Sequence, residues 1–335
     1  MLYTFIIISF VTIGILLAAV PSLLWFLCWI VGKCLHTNIP YAPFGWTALG
    51  LVAVAWLILT YGFLIGRFQL ETKTFDYAQN NLPTSFDGYK IVQISDLHLS
   101  TFDDRHKALQ RIVDSINAQK PDLICFTGDL VTMGVSEAEP FADILRQLHA
   151  TDGVVSVLGN HDFLLYNHQL KTEAERNDEV ERLAEYERNM LGWKLLRNEN
   201  YTIRRIDPRT NDTSTLTILG VDNSSCDNDG FHTIYAGDLP KAMDGTNGYR
   251  ILLTHDPAHW RAEAVGQDIA LTLSGHTHSG QVRCFGKALS DVSFKESAGW
   301  FYAGDQALYI NSGLGCTLPI RLNCPAEITV IRLKK

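Results

Sequence analysis

Charge is almost absent from the first 66 residues. They contain no Asp or Glu and one basic residue, Lys33. That absence excludes an ordinary solvated domain there. Residues 4–32, "TFIIISFVTIGILLAAVPSLLWFLCWIVG", are uncharged and apolar, longer than the roughly 20 residues a bilayer span needs. Pro21 lies inside the run, a placement lipid tolerates. Residues 33–43 form a short polar, proline-bearing turn. Residues 44–66 make a second span, with Trp46 and Tyr61 near its interfaces. The start "MLYTF" lacks a basic n-region, and the first run is long for a signal peptide. The segment therefore reads as a two-helix membrane anchor rather than a cleaved leader.

Other things are missing from residues 67–335. Basic residues are not in excess: 27 stand against 36 acidic ones, a formal charge of −9. That excludes a general electrostatic grip on nucleic acid, so no nucleic-acid partner is expected. No CxxC pair occurs. The five cysteines, Cys125, Cys226, Cys284, Cys316 and Cys324, are odd in number and show no pairing scheme. The spacing of Cys284, Cys316 and Cys324 does not support a thiolate zinc site. Reduced thiols suit the cytoplasm. Arg67 and Lys73 follow the second span while only Lys33 lies in the connecting turn, so the positive-inside bias also points residues 67–335 to the cytoplasmic side of the cell membrane. Internal repeats and low-complexity tracts are absent.

What is present is an alternation of strands and helices. Residues 67–87 read as a linker or edge segment, and a domain spans 88–335. "YKIVQIS", "PDLICFT" and "GVVSVL" are short apolar strands. Between them lie a helix over 105–119, with Leu109, Ile112, Val113 and Ile116 on one stripe, and a helix-like "EAEPFADILRQLHA". This strand–helix–strand pattern predicts an α/β unit with neighbouring parallel strands. Residues 172–191 predict an exposed helix with Val180, Leu183 and Met190 facing inward. Asp103 and Asp104 are placed to cap the helix at 105. "WKLLRNENYTIRRI", "STLTILGVD", "YRILLTH", "DIALTLSGHTH", "QALYINSGLG" and "AEITVIRL" read as further strands.

Polar residues of one kind collect where these strands stop. They are Asp96 and His98, Asp129, Asn160 and His161, His255, and His276 with His278. Five of the eleven histidines fall in this set. In open α/β sheets, ligands bind at the carboxyl ends of strands. Carboxylates, imidazoles and an amide oxygen without thiolate suit Mn²⁺, Fe or Zn²⁺. So many candidate ligands exceed what one ion needs and suggest two ions sharing a bridge. In an extended segment residues i and i+2 share a face, so Asp96/His98 and His276/His278 can each aim two side chains at one cleft.

Taken in order, "DLH", "GD", "GNHD", "THDP" and "GHTH" resemble the signature of the calcineurin-like metallophosphoesterases. The five blocks cover residues 96–278. The resemblance implies a four-layer α/β fold, two mixed β-sheets packed face to face and flanked by helices. It implies that Asp96, His98 and His278 hold one divalent metal, that Asn160, His255 and His276 hold the other, and that Asp129 bridges them. It implies that His161 hydrogen-bonds the substrate phosphate and protonates the leaving oxygen, with Asp162 orienting it. The family often has Asp where this chain has Asn223, so no role is carried to that position. "GHTHSGQV", "INSGLG" and "PIR" look like the bacterial, membrane-attached subset related to UDP-2,3-diacylglucosamine hydrolases. The substrate this implies is a phosphodiester, a phosphomonoester or a pyrophosphate, and the membrane anchor points to one at the bilayer surface, such as a lipid-linked phosphoester or UDP-2,3-diacylglucosamine. The competing reading is a membrane-attached metal-binding scaffold or sensor without catalysis. Loss of a ligand position would favour it, and none is lost. Gly313 and Gly315 read as tight-turn glycines or as close approaches to a ligand, and Arg321 as a phosphate contact or a surface residue.

Overall fold

The computed structural model describes residues 2–102, 105–207, 210–225 and 234–335. The chain forms two compact units. One is Met1–Arg67 with Pro319–Leu322, and the other is Phe68–Leu318 with Asn323–Lys335. Arg321, fully buried, falls in the first. The capping expected of Asp103 and Asp104 lies outside the described residues.

The first unit is built on helices α1 (Leu2–Cys34) and α2 (Ala42–Leu64). Both are long and apolar enough to cross a membrane. The 33 residues of α1 reach about 50 Å, more than the hydrocarbon thickness of about 30 Å. Pro21 is accommodated without breaking it. Their apolar side chains point outward: Leu57 is 72% and Ile15 64% exposed, unlike a soluble core helix. Indole N–H groups close the hairpin. Trp56 Nε1 donates to the Phe10 carbonyl at 3.0 Å, and Trp25 Nε1 to the Ile39 carbonyl at 3.1 Å.

The second unit carries fourteen strands among the described residues. In chain order these begin with β1 (Leu70–Ala78), β2 (Lys90–Ile94), β3 (Leu123–Phe126), β4 (Val154–Ser156) and β5 (Lys194–Leu195). Then come β6 (Glu199–Ile206), β7 (Thr213–Gly220), β8 (Tyr249–Leu253) and β9 (Leu271–Ser274). A ribbon of β10 (Arg283–Cys284) and β11 (Lys287–Ala288) precedes β12 (Gly299–Ala303), β13 (Gln306–Ile310) and β14 (Ala326–Lys334). One six-stranded sheet has the order β1-β14-β2-β3-β4-β5, the other β12-β13-β9-β8-β7-β6. Both are mixed, yet β2-β3-β4 and β7-β8-β9 pair in parallel.

Alternation along the strands makes the layers. In β3, Leu123 and Cys125 face the core between the sheets, while Ile124 and Phe126 face the outer helices. Ile251 and Leu253 of β8 meet that central core from the other sheet. Leu252 points the opposite way, toward Trp260 and the short helix Leu239–Met243. Each fully buried Leu or Ile contributes about 1.5–3 kcal/mol of hydrophobic stabilisation. The four-layer α/β expectation therefore holds, with helix α3 (His106–Asn117) burying Leu109, Ile112, Val113 and Ile116 as the spacing required.

Several local readings change. Of the two readings of residues 67–87, linker or edge segment, the second describes Leu70–Ala78, the nine-residue edge strand β1 parallel to β14. "EAEPFADILRQLHA" is not one helix. Pro140 supplies no amide N–H, and the stretch breaks into 3₁₀ turns and the four-residue helix α4 (Ala142–Leu145). The 172–191 helix is α5 (Glu173–Glu185), followed by a π turn over Tyr186–Leu191. The π turn shifts the helical phase, so Leu191 is buried and Met190 is exposed, the reverse of the expectation for Met190.

Inside that π turn, Glu187 is fully buried and accepts from Ser156 Oγ at 2.5 Å. Burial pushes its carboxyl up to about 8, with the nearby Asp162 adding to the rise. An unfolded glutamate titrates near 4.3, so folding favours the protonated form. The stability from this group is complete below the unfolded value and is lost as pH rises through about 8. Glu187→Gln is therefore expected to raise the melting temperature more near about pH 8.5 than near about pH 5. Circular-dichroism melts at both conditions check this, and an equal shift at the two would refute it.

Candidate metal centre

Five loops leave the carboxyl ends of β2, β3, β4, β8 and β9 and carry the strand-end residues to one place. The loops pair with one another through their backbones. Asp96 N–H donates to the Gly128 carbonyl at 2.9 Å, and His98 N–H to the Asp129 carbonyl at 3.1 Å. His276 N–H reaches both Asp96 carboxylate oxygens at 3.2 Å.

The backbone there is not extended. Asp96, His98, Asp129, His276 and His278 have φ of 50°, 39°, 60°, 72° and 50°. For residues with a side chain this left-handed region costs about 1–3 kcal/mol each, and such strain gathers at functional sites. Neither pair is extended, yet Asp96 and His98 still meet in one cluster, while His276 and His278 are divided between two.

The first cluster joins Asp96, His98 and His278. His98 Nε2 and His278 Nε2 lie 3.2 Å apart, and His278 Nε2 is 3.3 Å from Asp96 Oδ1. The second joins Asn160, His255 and His276. Asn160 Oδ1 lies 3.0 Å from His255 Nε2 and 2.8 Å from His276 Nδ1. Asp129 touches both. Its Oδ2 is 3.1 Å from His255 Nε2 and 3.5 Å from His98 Nε2, while its Oδ1 accepts from the His161 N–H at 2.8 Å. All these side chains are buried except His161 and His276, which are half-buried.

The imidazoles are aimed by their other nitrogens. His255 Nδ1 lies 2.7 Å from the Thr127 carbonyl, which holds that nitrogen protonated and leaves Nε2 to face the cluster. His98 Nδ1 meets Thr132 Oγ1 at 3.2 Å. A glycine makes the convergence possible. A Cβ on Gly159 would lie 2.2 Å from Asp129 Oδ1 and 2.6 Å from Asp129 N. Gly159→Ala must displace the shared carboxylate, and a misplacement of that size costs about 100-fold in kcat/KM. Steady-state assays on folded protein check this; an unchanged rate would contradict the placement. The glycines of "SGLG" pack equally closely. A Cβ on Gly313 would sit 2.8 Å from Asp96 Cβ, and one on Gly315 would sit 1.9 Å from the Leu97 carbonyl.

Burial and neighbouring charge pull the titrations apart. Burial pushes Asp96 up to about 7. Burial also acts to raise Asp129, but His255, His161 and His98 outweigh it and hold that carboxyl well below its ordinary value. Burial lowers His255, yet Asp129 outweighs it and lifts the imidazole to about 10. Burial holds His276 below its ordinary value. A buried set of oxygen and nitrogen donors, facing one another at 2.8–3.3 Å, fits divalent cations that take such ligands.

The expectation for Asp162 needs correction. Its carboxylate does not meet the His161 ring. It accepts backbone N–H groups from Asp129 at 2.7 Å, Gly159 at 2.9 Å and Val131 at 3.1 Å. Asp162 clamps the loops. The atom beside His161 Nδ1 is the Thr132 carbonyl, at 3.4 Å. Three further residues escaped the sequence reading. Tyr166 stacks on His161 at 4.5 Å and its hydroxyl accepts from Asn160 Nδ2. Glu137 fixes Thr132 by accepting its N–H at 2.7 Å. Asp256, in "THDP", lies 4.0 Å from His276 Nε2. Only Asp256 carried a signal, its place within a motif. Asn223 is buried, and its amide donates to Ser225 Oγ at 3.4 Å.

Residues 89–280 match the family described as calcineurin-like phosphoesterase. The chain is 31% identical over 300 residues to the uncharacterized metallophosphoesterase YkuE of Bacillus subtilis, covering 85% of this chain and 94% of that protein. It is 31% identical over 301 residues to the transmembrane protein with metallophosphoesterase domain of Danio rerio. That match covers 86% of this chain and 63% of the fish protein. It is 29% identical to the phosphodiesterase YaeI of Escherichia coli over 255 residues, 73% of this chain and 82% of that one.

Proposed function

Since this chain belongs to the calcineurin-like phosphoesterase family, whose members are metal-dependent phosphoesterases, we propose that it hydrolyses a phosphodiester, phosphomonoester or pyrophosphate bond of a lipid-linked substrate at a membrane surface. The observation that carries the catalytic part is the Asp129 carboxylate, shared between two clusters of nitrogen and oxygen donors. Asp96, His98 and His278 would hold one divalent ion. Asn160, His255 and His276 would hold the other, with Asp129 common to both. When bound, two such ions (Mn, Fe or Zn) supply Lewis acidity that offsets phosphoryl charge and brings the pKa of water near neutrality.

The remaining steps belong to side chains. His161, half-buried and 4.8 Å ring to ring from His98, hydrogen-bonds the phosphate and delivers a proton to the leaving oxygen. With Nδ1 turned to the Thr132 carbonyl, the proton is delivered from Nε2. Tyr166 fixes the plane of the ring by stacking. Asp162 acts at a distance, as a positioning residue that holds the Asp129 and Gly159 backbones.

The two apolar helices, and relatives named as transmembrane proteins, support membrane association. The excess of Arg67 and Lys73 over Lys33 supports a cytoplasmic catalytic domain at the cell membrane. UDP-2,3-diacylglucosamine is the lipid-linked substrate proposed. Full-length protein in detergent micelles with Mn²⁺, assayed on that glycolipid, bis-(p-nitrophenyl) phosphate and p-nitrophenyl phosphate, tests the reading. Preferential cleavage of the glycolipid supports it. Cleavage of the generic diester alone would remove the lipid substrate and keep the phosphoesterase.

A further inference from the structure

We propose that residues 283–295 form a docking element that inserts into an anionic bilayer surface beside the metal centre. The segment is built to present apolar side chains to the outside. Strands β10 and β11 pair Arg283 with Ala288 and Cys284 with Lys287. The two-residue turn between them, Phe285 and Gly286, has φ of 50° and 81°, the left-handed pair a tight hairpin requires. Phe285 therefore stands at the tip, 101% exposed. The chain continues into a 3₁₀ turn over Leu289–Val292. Residues i and i+3 eclipse in such a turn, so Leu289 and Val292 share a face. They are 59% and 84% exposed. An exposed apolar cluster of this kind marks an interaction surface.

Charge selects the partner. Arg283, Lys287 and Lys295 accompany the apolar residues, and none has an ion-pair partner among the described residues. The one acidic residue in the segment, Asp291, is exposed and engaged locally, accepting from Ala288 N–H at 2.9 Å and from the Ser297 hydroxyl, so three cations stand against one carboxylate. The segment is thus basic within a stretch, 67–335, whose formal charge is −9. Large apolar side chains beside unpaired cations match a bilayer interface carrying anionic headgroups. The chain's own two apolar helices place it at such a surface under the function proposed above, and on that membrane reading this inference rests.

The element is tied rigidly to the site. Thr277, between His276 and His278, donates to the Ser297 carbonyl at 2.5 Å. Ser297 and Ala288 are both held by Asp291. The Phe294 ring meets the His276 ring edge-on at 5.6 Å. Gln281, at the root of the hairpin, accepts from the Thr317 and Leu318 N–H groups at 3.0 and 3.1 Å. Docking of the tip would set the metal centre at a fixed distance from the surface that supplies its substrate.

The exposed native thiol of Cys284 provides the probe. Full-length protein, with Cys28, Cys34 and Cys226 replaced by Ser, is put into nanodiscs containing phosphatidylglycerol and labelled there with a nitroxide. Collisions with oxygen and with a water-soluble nickel chelate report depth. The expected result is a label about 5–10 Å inside the interface. Phe285→Ser with Leu289→Ser should return it to water-like values, and exchange of phosphatidylglycerol for phosphatidylcholine should do so in part. Hydrolysis of a soluble diester should be unchanged in the double variant. A label on Cys284 as water-accessible as one at Asn211, an exposed turn residue, would overturn the proposal. Dipolar broadening between labels on two chains would also overturn it, by assigning the face to a second copy. Depth is read without catalysis, so loss of the phosphoesterase reading would leave this test intact.

Discussion

Asp129→Ala is expected to lower phosphodiester hydrolysis by about 1,000-fold or more, about 4 kcal/mol of barrier, and to strip divalent metal from the protein. The size follows from its position. One carboxylate serves both clusters, at 3.1 Å from His255 and 3.5 Å from His98. Its loss removes the one negative charge common to both clusters and leaves His255 and His98 without their carboxylate neighbour. The loop should survive the change, because Asp162 clamps it through the Asp129 and Val131 backbone N–H groups. Asp129→Asn keeps the size and an oxygen for the His161 N–H but not the charge, so an intermediate rate is expected. The rate and the metal content of the purified variants are to be measured together. Wild-type rates in Asp129→Ala would remove the shared-carboxylate account.

His161→Ala should separate rate from metal binding. A general acid typically contributes about 10²–10⁴-fold, so kcat should fall by that factor with metal content unchanged. The loss should also depend on the leaving group. p-Nitrophenolate leaves readily without protonation, whereas an alkoxide does not. The factor should therefore be largest for an alkyl phosphoester and smallest for a p-nitrophenyl ester. Half-burial suits proton delivery, since the ring is held by Tyr166 stacking and the Thr132 carbonyl yet keeps an open side. Equal losses on both substrates, or loss of metal, would move His161 from proton delivery to the metal shell.

The central strands and the strand-end residues were legible because burial on both faces forces continuous apolar runs and because ligand chemistry restricts residue type. The edges were not. Strand β1, "LETKTFDYA", buries only Tyr77, and its Glu71, Thr72, Thr74 and Asp76 are exposed, so it carries the composition of a linker. "WKLLRNENYTIRRI" looked continuous, but Asn198, at φ 57°, turns the chain from β5 in one sheet to β6 in the other. Arg197 fixes that corner with a bidentate contact to Asp222 at 3.0–3.1 Å. At the site, the residue types were readable and the backbone was not. The left-handed conformations at Asp96, His98, Asp129, His276 and His278 are imposed by the loops meeting one another, which no local pattern encodes. The same holds for Asp162, whose partners include loop residues 31 and 33 positions away in sequence.

Two divalent ions, held by the two clusters, are what hydrolysis is expected to depend on. Stripping the full-length protein with chelator and titrating Mn²⁺ back, while metal content and diester hydrolysis are followed on the same samples, tests this most directly. The predicted result is that hydrolysis disappears on stripping and returns in step with binding of two ions per chain. Undiminished hydrolysis after stripping, or full activity with fewer than two ions bound, would contradict it.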